Sequence, residues 1–196
     1  GTTDPRLDAF LAWLEGATPA VLVYISTTGV YGDAGGALVD ESTPVAPSNP
    51  RAQRRVAAES AVTQWCAERE VRCVVLRVPG IYGPHRLPLE RLARGEPALR
   101  PEDAGPGNRI HVDDLVTAIV VATEDANAHG VYNVTDGDPS STTAYLQETA
   151  RAAGLPAPDL ISRAEAASRI SPGMLAFLRD SRRVDNRRML HELGVR

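Results

Sequence analysis

Apolar positions along the chain follow two alternating kinds of pattern. Val21-Leu22-Val23-Tyr24-Ile25 and Cys73-Val74-Val75-Leu76-Arg77-Val78 are almost unbroken apolar runs of strand length, the form taken by parallel strands covered on both faces. Between them, a stretch rich in Gly, Pro, Ser and Asp over 29–50 reads as a long loop and 51–69 as a helix. The result is a strand-loop-helix-strand unit, the usual link between parallel strands. Ahead of the first strand, Asp4 caps a predicted helix that runs to Glu15, places Phe10, Leu11 and Leu14 on one side and stops at Gly16. Further on, Ile110-His111-Val112 is a short strand-like piece, Asp113 caps a helix to Glu124 with Leu115, Ile119 and Ala122 inward, and Val131-Tyr132-Asn133-Val134 is a third strand. Ser140 or Ser141 opens a helix closed by Gly154 and Pro156. Ser162 and Glu165 form a capping box for another, and a last helix runs from near Asn186 to Gly194. This alternation predicts an α/β fold with a parallel sheet, and the helical, loop-rich later part predicts a smaller appended lobe.

Composition narrows the chemistry. At 196 residues the chain is long enough for one domain, or one plus a subdomain, and it holds no apolar run of the roughly 18 residues a bilayer helix needs. A net charge of −4 leaves no excess of positive charge for a phosphate backbone, so neither a membrane nor nucleic acid is expected as partner. Cys66 and Cys73 make no disulfide framework and fit a reduced, cytoplasmic setting. All 21 basic residues are arginine. Codon bias accounts for the absence of lysine, but a Walker phosphate loop, a Schiff base and a Tyr/Lys acid-base pair are still all excluded.

Four segments stand in a familiar order: Tyr24-Ile25-Ser26-Thr27-Thr28-Gly29-Val30-Tyr31-Gly32-Asp33, Leu76-Arg77-Val78-Pro79-Gly80-Ile81-Tyr82-Gly83-Pro84, Arg109-Ile110-His111-Val112-Asp113-Asp114-Leu115, and Val131-Tyr132-Asn133-Val134. Together they resemble the extended short-chain dehydrogenase/reductases, the nucleotide-sugar epimerases and dehydratases. The resemblance implies that residues 1–84 are the later part of a Rossmann-type NAD(P)-binding domain. Residues 85–196 are then mainly a helical, C-terminal substrate lobe, with strand 131–134 returning to the Rossmann sheet. It implies hydride transfer between a nicotinamide, NAD or NADP, and a hydroxyl or carbonyl carbon of a sugar-like small molecule.

Two departures qualify this. The family's G-x-G-x-x-G turn is absent, since Gly105-Pro106-Gly107 has neither a strand before it nor a third glycine. We therefore expect the glycine-rich turn in residues preceding Gly1, and cofactor binding in the longer protein. The family's Tyr-x-x-x-Lys pair, in which the lysine tunes the phenol for proton exchange, is matched by Arg51 and Arg55, neither of which exchanges a proton at pH 7. Arg55 is suited to a cofactor ribose and Arg51 to an anionic substrate group; the alternative is a pair of solvated arginines.

The resemblance carries over further residues. Thr27 matches the Ser/Thr that hydrogen-bonds the reacting oxygen, with Ser26 beside it facing the cofactor, a turn-forming hydroxyl being the alternative for Thr27. Thr28 and Gly29 replace the acidic pair of the 4,6-dehydratases, which disfavours dehydration. Pro79 and Gly80 match the post-strand backbone beside nicotinamide and substrate, a simple strand stop being the alternative. His85 and Arg86 are expected in the substrate cleft or on a solvated loop, and Arg109 on an anionic substrate or in no functional role. Tyr31 and Tyr82 are read as packing residues. His111, Asp113 and Asp114 belong to a strand entering a capped helix, so no metal is expected. Trp65 on helix 51–69 points to a homodimer through that helix or to burial in the monomer. A non-catalytic NAD(P)-binding or scaffold protein is the alternative to an enzyme.

Overall fold

A computed structural model describes residues 4–138 and 140–195. Helix α1 (Pro5–Leu14) is capped by Asp4, whose carboxylate accepts the Arg6 amide at 3.1 Å. Leu11 and Leu14 are buried, whereas Phe10 is 46% exposed at the rim of the stripe and stacks on Trp13 instead. Strand β1 (Val21–Thr27) leads into a 3-10 turn, Thr28–Tyr31. The stretch expected as loop thus holds this turn and a two-residue strand, β2 (Leu38–Val39). Helix α2 (Pro50–Glu68) starts at Asn49, whose side chain accepts the Ala52 amide at 3.0 Å. Strand β3 (Arg72–Val78) is followed across Pro79 by β4 (Gly80–Tyr82), so Pro79 redirects the chain into a second sheet.

Helix α3 (Leu89–Ala93) and strands β5 (Ala98–Leu99) and β6 (Arg109–His111) precede α4 (Val112–Glu124). Here the expected cap is corrected. His111 is the N-cap, its Nδ1 accepting the Asp113 amide at 3.3 Å, and Asp113 lies in the first turn, where a carboxylate favours the helix dipole. Strand β7 (Gly130–Asn133) follows, then α5 (Thr142–Ala152), opened by Ser141 rather than Ser140. The lobe closes with β8 (Leu160–Ile161), α6 (Arg163–Arg169) with its capping box, and α7 (Pro172–Arg179), which the pattern did not predict. Strand β9 (Arg183–Val184) pairs with β2, and the final helical piece is a π-helical turn, Met189–Leu193, ending at the left-handed Gly194.

The main sheet is wholly parallel, in the order β1-β3-β7, with Thr27 level with Val78 and Arg77 level with Asn133. On one face α1 and α2 cover Leu22 through Val62, Trp65 and Cys66; on the other, α4 and the final turn cover Val74, Leu76 and Tyr132. Coverage on both faces explains the almost unbroken apolar runs. The β5–β8 pair anchors two small cores, one around Leu92 and Leu146, the other around Leu99 and Ile161.

Candidate active site

The C-terminal ends of the strands form one rim of the sheet, where open α/β sheets take their ligands. Thr27 ends β1, and Pro79 follows the end of its neighbour β3. The Thr27 Oγ1 accepts the Gly29 amide at 3.2 Å, capping the 3-10 turn, and its own O–H has no acceptor among the described residues. The turn-forming account of Thr27 therefore holds, and it leaves the donor that the functional account requires. Gly80 is exposed, and a methyl group there would meet nothing closer than the Asn108 carbonyl at 3.6 Å, so the backbone beside Pro79 is open to a ligand. Past the turn, His85, at φ +64°, and Arg86 are both exposed.

The arginines of α2 differ from each other. Arg51 is exposed, with no hydrogen bond or ion pair among the described residues. Arg55 is half-buried and donates to the Tyr24 hydroxyl at 3.0 Å, which uses one of its five N–H groups. Trp65 is only 7% exposed, packed against α1, with Arg69 stacked on its ring at 4.8 Å; of the two readings it is burial in the monomer that is observed.

Behind Thr27 runs a buried polar row that the sequence reading missed. Ser26, Arg77 and Asn133 are level across the three strands, all on the α2 face. The Ser26 hydroxyl donates to Glu59 of α2, so this side chain faces the helix. Arg77 grips the Glu59 carboxylate with Nε at 3.2 Å and Nη2 at 2.8 Å, and its Nη1 donates to the Tyr31 hydroxyl at 2.9 Å. Tyr31 donates to the Asn133 Oδ1 at 2.8 Å, and Glu41 accepts the Asn133 amide at 2.8 Å. Tyr31 is thus a packed residue, as expected, and a hydrogen-bonded one; burial pushes its phenol above the ordinary tyrosine range, with Arg77 opposing. Polar Ser26 and Arg77 inside apolar strands were the signal available in the sequence.

A second cluster lies between β4, β6 and α5. Tyr82 meets His111 and Tyr145 edge-on, at centroid distances of 5.3 and 6.1 Å. Arg109, a candidate contact for a substrate anion, is buried. It pairs with Asp138, donates to Ser140 and stacks over Tyr145, so its charge is spent inside the protein. Burial raises the Asp136 carboxyl above its usual range; it also raises the Tyr82 phenol, helped by the neighbouring Asp136.

The pattern of the NAD dependent epimerase/dehydratase family matches residues 8–135. Human dTDP-D-glucose 4,6-dehydratase is 28% identical over 120 residues, 57% of this chain and 34% of that protein. A functionally unknown conserved protein from Silicibacter pomeroyi has 34% identity and a TM-score of 0.85, covering all of this chain and 68% of its own. MoeE5, solved in complex with UDP-glucuronic acid and NAD, has 25% identity and a TM-score of 0.77, covering 97% of this chain and 64% of its own. The chain spans about a third to a half of the length of the curated relatives it matches, from 34% of the dehydratase to 54% of a Streptomyces reductase. With this match over most of its length and the strand-end geometry above, the chain belongs to the NAD dependent epimerase/dehydratase family.

Proposed function

We propose that this chain carries the nicotinamide and substrate side of a hydride-transfer site for a sugar-like or nucleotide-sugar substrate. The carrying observation is Thr27, a hydroxyl at the end of β1, level with Val78, that accepts from Gly29 and has no acceptor for its own proton among the described residues. The fit to NAD or NADP is partial. Small residues at Thr27 and Pro79 and open backbone at Gly80 suit the nicotinamide end, while a glycine-rich cradle for the pyrophosphate is not in these residues. A bound nicotinamide supplies the hydride donor or acceptor.

The rest falls to the chain's own groups. Thr27 donates a hydrogen bond to the reacting oxygen and polarises it. Arg55 and Arg51 supply fixed positive charge on the adjacent helix, which stabilises a developing alkoxide without exchanging a proton. The proton of the reacting hydroxyl passes to water as hydride leaves the carbon, because the threonine and arginine side chains act here as hydrogen-bond donors and not as bases. Gly80, His85 and Arg86 line the substrate side. Thr28 and Gly29 offer no acid pair, which favours epimerase or reductase chemistry over dehydration. A second copy packing along α2 is part of the same proposal, supported by the exposed, stacked Phe10 and Trp13 on neighbouring α1.

The test is single-turnover hydride transfer by the protein expressed from its complete reading frame, across a nucleotide-sugar panel. Thr27→Val is expected to slow turnover by about 100 to 1,000-fold, and Arg51→Ala and Arg55→Ala to slow it by smaller factors. Unchanged rates in all three variants remove this site. Cofactor binding with no turnover by wild type favours the non-catalytic binding protein.

A further inference from the structure

A buried ion pair attached to a hydrogen-bonded row is an uneconomical way to fill a core. Desolvation offsets most of the attraction, and apolar residues of similar volume often serve stability as well or better. Here each strand of the main sheet nevertheless contributes one polar side chain to the same level, and all three are at least nine-tenths buried. The Asn133 Nδ2 even goes without a hydrogen-bond partner among the described residues. The row does one thing that an apolar core does not: it ties β1, β3, β7, α2 and the 3-10 turn together by directional bonds. Glu59 stands four and eight residues beyond Arg55 and Arg51, on the same face of α2. It accepts from Ser26, the residue before Thr27, and from Arg77, which in turn holds Tyr31 at the end of the turn that Thr27 caps.

We propose that Glu59 and Arg77 are a positioning pair, setting Thr27 and its turn against the face of α2 that carries Arg51 and Arg55. The proposal rests on the reading of those three residues as the site, but its test needs neither cofactor nor substrate. Methyl-labelled threonine gives the Thr27 χ1 rotamer from three-bond couplings to Cγ2, and the Gly29 amide shift reports the bond to Thr27 Oγ1. Wild type is expected to show a single rotamer. The double variant Glu59→Leu/Arg77→Met is expected to keep its melting temperature to within a few degrees and to average Thr27 over more than one rotamer, with the Gly29 signal shifted. Ser26→Ala, which leaves the ion pair in place but cuts its link to β1, is expected to do the same more weakly. A single, wild-type rotamer and an unmoved Gly29 signal in the folded double variant overturn the proposal. Should that variant not fold, the same null result in both Glu59→Gln and Ser26→Ala overturns it equally. Loss of hydride-transfer activity is judged separately, so a site without turnover does not decide the positioning claim.

Discussion

Asp136 shows how a single side chain sets a pH dependence. Burial raises its carboxyl above the usual aspartate range, more than the Asp138 amide and the Arg109 charge lower it. A folded-state value above the unfolded one means that stability is fully present below the unfolded pKa and is lost as pH rises through the folded one. Asp136→Asn is therefore expected to raise the melting temperature at pH 7, and the gain to vanish below about pH 4, where wild type is protonated in both states. Melting curves at the two pH values check this; a loss at pH 7, or an equal gain at both, contradicts it. At this scale the sequence is only half readable. Thr27, Pro79 and Gly80 sit where their motifs put them, because strand ends are local features. The engagement of Ser26, Arg77 and Arg109 depends on partners far along the chain, Glu59, Tyr31 and Asp138, which no local pattern announces.

Elements with strong local signals were legible. Strands β1 and β3, helices α2 and α5, and the α6 capping box follow from apolar runs, periodicity and caps, each encoded within a few residues. Strands β2, β5, β8 and β9 were not, being two residues long and existing only through pairing, as Leu38 does with Arg183 and Ala98 with Leu160. The turn after Thr27 is an element whose geometry demands one residue type. Gly32 has φ +66°, and a methyl group there would lie 2.0 Å from the Ala46 carbonyl oxygen; Gly35, at φ +59°, has open space around it. Gly32→Ala is expected to cost more than the roughly 1–3 kcal/mol of left-handed strain alone, because backbone must also move, whereas Gly35→Ala costs about 1 kcal/mol. Urea denaturation of both variants separates the two effects. Equal losses contradict the close approach of Gly32 to Ala46.

At the scale of the whole molecule, a three-stranded parallel sheet with helices on both faces presents the C-terminal ends of its strands along one rim, and β1 has a single strand neighbour, β3, among the described residues. No described helix is long and apolar enough to cross a membrane. On this account the rim holds the nicotinamide and substrate side of a dinucleotide site, and the pyrophosphate cradle lies outside these residues. A dinucleotide draws much of its affinity from a glycine-rich turn and the helix N-terminus behind it. Calorimetric titration of the 196-residue chain with NAD and NADP, beside the protein from its complete reading frame, tests this division most directly. The account predicts no saturable heat from the 196-residue chain and tight binding of one of the two dinucleotides by the protein from its complete reading frame; micromolar binding by the 196-residue chain alone contradicts it.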